Sequence, residues 1–65
     1  MTLDSTRAAR TAAQRDLSRA QAARRRHPGP LGEMAVAAAL AAFTAAHRAH
    51  MKASRAAYFA RFTGR

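Results

Sequence analysis

The stretch that decides the fold is residues 35–60, AVAAALAAFTAAHRAHMKASRAAYFA. Alanine recurs in it at alternating spacings of four and three, at Ala35, Ala39, Ala42, Ala46, Ala49, Ala53, Ala56 and Ala60. On an α-helix this spacing aligns the eight methyl groups along one narrow stripe, here called the alanine seam. Because methyl groups are small, a second helix can approach the seam more closely than the usual distance of about 8–10 Å between helix axes. We therefore expect this helix to pack closely against another one.

A similar pattern of small side chains lies in the first half of the chain. Its members, spaced alternately by three and four, are Thr6, Ala9, Ala13, Asp16, Ala20 and Ala23. Pro28, Gly29 and Pro30 separate the two patterns, and proline ends a helix because it lacks an N–H and restricts the residue before it. The sequence thus predicts an all-α fold, in which a single domain, residues 1–65, forms a two-helix antiparallel hairpin.

The boundaries of the two helices follow from local signals. We expect the first helix at about residues 5–26, the turn at residues 27–30 and the second helix at about residues 31–62. Asp4 or Ser5 is the predicted N-cap of the first helix, and Gly64 is the residue expected to stop the second. Because the turn is short and the second helix is the longer one, roughly its last ten residues should extend beyond the first helix.

The composition favours helix but not a stable isolated domain. Alanine, the best helix former, supplies 20 of the 65 residues, whereas Leu, Val and Phe together supply only 8. With a formal net charge of +9, so few large apolar side chains are typical of disordered proteins. The chain also lacks cysteine, so no disulfide can stabilise it. We expect its stable form to be bound to a protein partner or to copies of itself.

Positive charge is spread over both halves of the chain. Eleven Arg and one Lys stand against three acidic residues, which favours binding to nucleic acid, to anionic lipid or to an acidic protein surface. Arginine suits phosphate because its planar guanidinium donates paired hydrogen bonds. The candidate nucleic-acid-binding residues are Arg24, Arg25, Arg26, Arg48, Lys52 and Arg55. The alternative interpretation is a solvated basic face beside aromatic residues that anchor a protein interface.

A second face of the later helix carries most of the large apolar side chains. This hydrophobic stripe consists of Val36, Leu40, Phe43, His47, Met51, Tyr58 and Phe62. If the alanine seam packs on the first helix, the stripe has no intramolecular partner of similar size, so we expect another protein or a second copy to cover it. The predicted partner-binding residues are Val36, Leu40, Phe43, Met51, Tyr58, Phe59 and Phe62. Stacking of the aromatic rings on unpaired bases is the alternative.

No catalytic, cofactor-binding or metal-binding motif is recognisable. The acidic residues Asp4, Asp16 and Glu33 are scattered, whereas catalysis needs titratable groups paired in a cleft. We therefore expect no enzymatic activity and no cofactor. His47 and His50 lie three residues apart, but no carboxylate lies nearer in sequence than Glu33. We interpret both histidines as interface residues rather than as metal ligands.

The longest apolar run bears on the location of the protein. It covers residues 34–46 and is shorter than the stretch of about 20 residues that crosses a bilayer. The absence of cysteine is compatible with a reducing compartment. We expect a protein of the cytoplasm or of a particle assembled there. The alternative is that residues 1–27, which are rich in Arg and poor in acids, form a transit peptide.

These observations lead to two main functional hypotheses. The first is a small, basic, non-enzymatic accessory or structural subunit of a larger nucleic-acid-containing assembly. The second is a pure protein-interaction subunit or regulator without nucleic-acid contact, such as a minor virion structural protein or an inhibitor on an acidic protein surface. A third, a helix lying on an anionic membrane, is less favoured because alanine makes its apolar face thin.

Overall fold

The computed structural model describes residues 2–63, and these residues form two helices and no strand. Helix α1 is Leu3–Arg26 and helix α2 is Pro30–Thr63, and the two pack against each other. The molecule is a rod with principal extents of 55 × 14 × 14 Å. The predicted all-α hairpin with a longer second helix is confirmed. The predicted stop at Gly64 lies outside the described residues.

Helix α1 begins earlier than the sequence predicts, because Thr2 rather than Asp4 or Ser5 is its N-cap. The Thr2 hydroxyl accepts a hydrogen bond from the Ser5 backbone N–H at 3.1 Å, and the Ser5 hydroxyl donates to the Thr2 carbonyl at 2.9 Å. Asp4 lies in the first turn, where its carboxylate interacts favourably with the positive end of the helix dipole. The two residues predicted as caps therefore support the helix start from inside the helix.

The turn between the helices consists of three residues, His27, Pro28 and Gly29. The His27 backbone N–H donates to the Ala23 carbonyl at 2.8 Å and closes α1. Gly29 has φ +156°, a conformation that residues with a Cβ rarely adopt. Its carbonyl accepts a hydrogen bond from the Glu33 N–H at 3.1 Å, so α2 begins directly at Pro30, whose fixed φ suits the first helical position.

Two contacts fix the antiparallel register of the helices. The Thr6 hydroxyl lies 3.2 Å from Nδ1 of His50, and a Cβ at Gly32 would lie 3.5 Å from the Cα of Arg24. In both pairs the residue numbers add up to 56. The same register places Leu17 opposite Ala39, so larger side chains of one helix face small ones of the other.

The contact face consists of the residues that are buried or half-buried along each helix. In α1 they include Leu3, Thr6, Arg10, Ala13, Leu17, Ala20 and Arg24, and in α2 Gly32, Val36, Ala39, Phe43, Ala46, His50, Ala53 and Ala57. Both sets alternate by three and four residues, as predicted, but only three members of the α2 set, Ala39, Ala46 and Ala53, belong to the alanine seam; a fourth seam residue, Ala49, is half-buried at the edge of this face. The contact face of α2 is therefore rotated by roughly 50° from the seam, about half of the 100° step between residues.

This rotation has a physical reason in side-chain size. It turns Val36 and Phe43 of α2 partly toward α1, where the register sets them opposite Ala20 and Ala13. A contact through the alanine seam alone would bury only methyl groups, which gain little at roughly 25 cal/mol per Å². The seam residues Ala35, Ala42, Ala56 and Ala60 are exposed as a result.

The hairpin has no apolar core among residues 2–63. No hydrophobic side chain there is buried, and the two buried residues are polar: Thr6 is 1% exposed and His50 is 8% exposed. Because α1 begins at Leu3, which the register sets opposite Ala53, the last turns of α2 extend past α1. The overhang predicted from the sequence is confirmed.

Candidate phosphate-binding and partner-binding surfaces

The predicted phosphate-binding triplet at the end of α1 is divided by the fold. Arg24 lies on the contact face, where its guanidinium is 3.5 Å from a carboxylate oxygen of Glu33 in the first turn of α2. Arg25 and Arg26 are exposed. Part of the positive charge of Arg24 is therefore used in an intramolecular ion pair, and two of the three arginines remain available to an external phosphate.

The second predicted set lies together on one side of α2. Arg48, Lys52 and Arg55 are spaced by four and three residues, and all three are exposed. At 100° per residue they lie on the side of α2 that faces away from α1. Two ion pairs occur within residues 2–63, Arg19–Asp16 at 3.6 Å and Arg24–Glu33 at 3.5 Å, and neither involves this set. We call these three residues the α2 basic face.

The fold places two further cations near the α2 basic face, and neither is among the residues predicted to bind phosphate. The register sets Arg10 opposite Ala46, close to Arg48 along the rod, and Arg7 follows about one turn away. Their charges reach His50, whose pKa they help to lower. Arg7 and Arg10 therefore lie at about the same level along the rod as Arg48, the first residue of the α2 basic face. The signal that could have found Arg10 is its place in the heptad series Leu3, Arg10, Leu17 and Arg24.

The hydrophobic stripe is partly used by the hairpin and partly exposed. Val36 and Phe43 are half-buried toward α1, which corrects the expectation that the whole stripe lacks an intramolecular partner. The remaining large apolar residues stay open to solvent, with exposures of 51% for Leu40, 45% for Met51, 57% for Tyr58 and 66% for Phe62. The predicted partner-binding surface is thus concentrated toward the overhang.

The aromatic rings of the overhang contact one another. The ring centroids of Tyr58 and Phe62 are 4.9 Å apart, and those of Tyr58 and Phe59 are 5.7 Å apart in an edge-to-face arrangement. Phe59 is 59% exposed and follows Arg55 by four residues, so it lies beside the α2 basic face rather than on the hydrophobic stripe. The overhang therefore exposes aromatic side chains both on the hydrophobic stripe and beside the α2 basic face.

The two neighbouring histidines of α2 have different environments. His47 is exposed and stacks on Phe43 with centroids 5.9 Å apart, whereas His50 points to Thr6 on α1. Burial is the largest cause that lowers the pKa of His50 below its usual value of 6.5, followed by the charges of Arg10, Arg7 and His47. In the part of the chain that the structure describes, no group of three or more His, Cys, Asp or Glu side chains is placed to hold a metal ion.

Comparisons with known proteins identify no relative of this chain. No protein-family model matches the sequence, and no curated protein or solved structure is significantly similar to it. Neither helix, over the residues that the structure describes, contains a stretch long and apolar enough to cross a membrane.

Proposed function

We propose that this chain is a small, non-enzymatic accessory subunit of a nucleic-acid-containing assembly. The observation that carries the proposal is the α2 basic face, three exposed cations on one side of a helix that form no ion pair within residues 2–63. Phosphate groups of a nucleic acid neutralise the positive charge of such a row, and each phosphate contact also releases counterions from the nucleic acid. Arg25 and Arg26 supply a second point of contact at the turn.

The exposed part of the hydrophobic stripe has a different role in the proposal. It lies beside the α2 basic face on the same helix and carries none of the chain's Arg, Lys, Asp or Glu residues. Exposed aromatic side chains next to arginine are typical of protein interfaces. We assign the stripe to a protein partner, so that one helix holds the chain in its assembly while its basic side meets the nucleic acid.

A pure protein-interaction subunit is the second candidate, and the exposure of Tyr58 and Phe62 favours it. In that case the positive charge complements an acidic protein surface rather than nucleic acid. The two candidates differ in whether the α2 basic face is needed for binding to nucleic acid.

The test is the salt dependence of binding to a random-sequence duplex DNA and to a single-stranded RNA. The variant Arg48→Gln/Lys52→Gln/Arg55→Gln should flatten the slope of log affinity against log salt by about two to three units, since each phosphate contact contributes roughly 0.7–0.9. All sequences should be weakened alike, because phosphate contacts carry no base information. Arg25→Gln/Arg26→Gln should flatten it by up to about two units.

A matched control comes from the middle of α1. Arg15→Gln/Arg19→Gln also removes two charges from exposed positions of α1, and we expect a smaller change per charge removed. Equal changes per charge in all three variants would indicate a diffuse electrostatic attraction without a defined surface. If the native complex survives nuclease treatment and the α2 triple variant still assembles, the nucleic-acid role is wrong and the interaction subunit is the better description.

A further inference from the structure

The isolated hairpin exposes more surface than a compact protein of its size. Its accessible surface is 5226 Å² for 7.0 kDa, whereas a compact monomer of that mass exposes about 4,000 Å². The excess of about 1,200 Å² is larger than the roughly 800 Å² that each partner contributes to a stable protein interface. The excess follows from the rod shape, since two helices side by side have no interior.

The hydrophobic stripe is placed to form such an interface without moving α1. At 100° per residue, its centre lies about a quarter of a turn around α2 from the contact face. A second rod can therefore lie along the stripe and remain clear of α1. The stripe continues into the overhang, where Tyr58 and Phe62 have no residue of α1 opposite them.

The spacing of the stripe indicates which partner fits it. Val36 and Phe43 are half-buried toward α1, and Phe62 ends the stripe. Between Val36 and Phe62, the exposed stripe residues form a series spaced by 7, 4 and 7, at Leu40, His47, Met51 and Tyr58. This series reads the same in both directions, with its centre at Ala49. Two identical faces can pair about a two-fold axis only if residue i meets residue j while j meets i. An antiparallel pair of α2 helices centred on Ala49 meets that condition.

We propose that two copies of this chain associate through the hydrophobic stripes of their α2 helices, packed antiparallel. In this arrangement Leu40 of one copy faces Tyr58 of the other, Val36 faces Phe62, and His47 faces Met51. The overhang of each copy thereby covers residues 35–44, in the first half of its partner's α2 helix. The inference rests on the part of the proposed function that gives the stripe to a protein partner, and it names that partner as a second copy.

Charge predicts an unusual response of this dimer to salt. The stripe carries none of the chain's Arg, Lys, Asp or Glu residues, but each copy has a formal net charge of +9. Salt screens the repulsion between the two copies, so dimerisation should strengthen as salt is raised. Binding to nucleic acid should weaken over the same range. The two salt responses separate this inference from the proposed phosphate contact.

The first experiment is sedimentation equilibrium of the nucleic-acid-free full chain at several salt concentrations. We expect a reversible dimer, with twice the 7.0 kDa mass of the chain. Leu40→Glu should raise the dissociation constant at least about tenfold, because it buries an unpaired charge in the interface. Ala45→Glu is the matched control, since it makes the same charge change at an exposed position on another side of α2, and it should leave the dissociation constant within about twofold.

A second experiment tests the antiparallel pairing directly. The chain has no cysteine, so Leu40→Cys and Tyr58→Cys each introduce a single thiol. Under oxidation, a mixture of the two variants should give mainly the mixed disulfide, and each variant alone should cross-link poorly. Preferential Leu40→Cys homodimers would overturn the antiparallel arrangement.

A chain that stays monomeric at all concentrations and salt levels would overturn the dimer itself. So would equal dissociation constants for the Leu40→Glu and Ala45→Glu variants. Circular dichroism of both variants checks that their helix content matches the parent chain. If the chain is monomeric but the α2 basic face still determines the salt slope with DNA, the second copy is wrong and the proposed phosphate contact stands.

Discussion

Thr6 and His50 form a polar contact in a hairpin that buries no apolar side chain among its described residues. The Thr6 hydroxyl has one proton, and it donates that proton to the Leu3 carbonyl at 3.0 Å. In that geometry Thr6 accepts a hydrogen bond from Nδ1–H of His50. Neutral His50 then carries its proton on Nδ1, and further protonation takes place at Nε2. The resulting positive charge lies near Arg7 and Arg10, which also lower the pKa of His50.

This environment predicts that acid destabilises the hairpin. In the unfolded chain His50 binds its second proton near pH 6.5, whereas in the folded hairpin its pKa is lower. Between these two values the unfolded state holds more protons, so the free energy of unfolding falls as the pH drops through this window and levels off below it. We expect helix content, measured by circular dichroism at fixed salt, to decrease as the pH is lowered from 7.5. The loss should begin at about pH 6.5.

Two variants assign this pH dependence to His50. His50→Gln keeps a neutral polar side chain near Thr6 and should remove most of the loss of helix in acid. His27→Gln changes an exposed histidine in the turn and should leave the loss unchanged. A parent chain whose helix content is the same at pH 5 and pH 7.5 would contradict the role given to His50.

At the scale of the helices, the packing is an alternation of large against small side chains across the two contact faces. Leu17 lies opposite Ala39, and Phe43 lies opposite Ala13. Gly32 continues this pattern at the turn, where a Cβ would meet the Arg24 Cγ at 3.5 Å. The close approach of the helices therefore depends on small residues at alternate positions of the contact face, and the exposed alanines contribute little to it.

Two substitutions within the alanine seam should have different effects. Ala46 lies on the contact face opposite Arg10, so Ala46→Leu should push the helices apart and cost about 1–3 kcal/mol. Ala42 is exposed, and Ala42→Leu should change the stability by no more than about 0.5 kcal/mol. Urea-induced loss of helix at one fixed protein concentration measures both. A large effect of Ala42→Leu would show that the helices pack through the alanine seam itself.

At the scale of the whole molecule, the hairpin has little to offset the entropy of ordering its chain. Conformational entropy costs about 1.5 kcal/mol per ordered residue, while Tyr58, Phe59 and Phe62 of α2 remain more than half exposed, at 57%, 59% and 66%. The stability of the isolated chain therefore depends mainly on helix propensity and on the contact between α1 and α2.

We therefore predict a broad thermal transition for the dilute chain. As the protein concentration or the salt is raised, the transition should sharpen and move to higher temperature, because association stabilises the folded form by mass action. Calorimetry and circular dichroism over a hundredfold range of concentration provide the test. A sharp transition that is independent of concentration would mean that the two-helix hairpin is stable alone.

The sequence by itself determined the two helices, a turn that begins at His27, the greater length of α2 and the exposed aromatic overhang. These features depend on local causes: alanine's helix propensity, proline's missing N–H and the number of residues on each side of the turn. The α2 basic face was also predictable, since Arg48, Lys52 and Arg55 share one side of any helix that contains them.

Only the tertiary structure decided which side of each helix forms the contact. A pattern of small residues spaced by three and four permits neighbouring rotations of the helix, and the choice depends on how side chains of both helices fit together. That choice half-buries Val36 and Phe43, pairs Arg24 with Glu33 and brings His50 to Thr6, 44 residues away in the chain. Such contacts depend on the register between distant segments, which no local pattern contains.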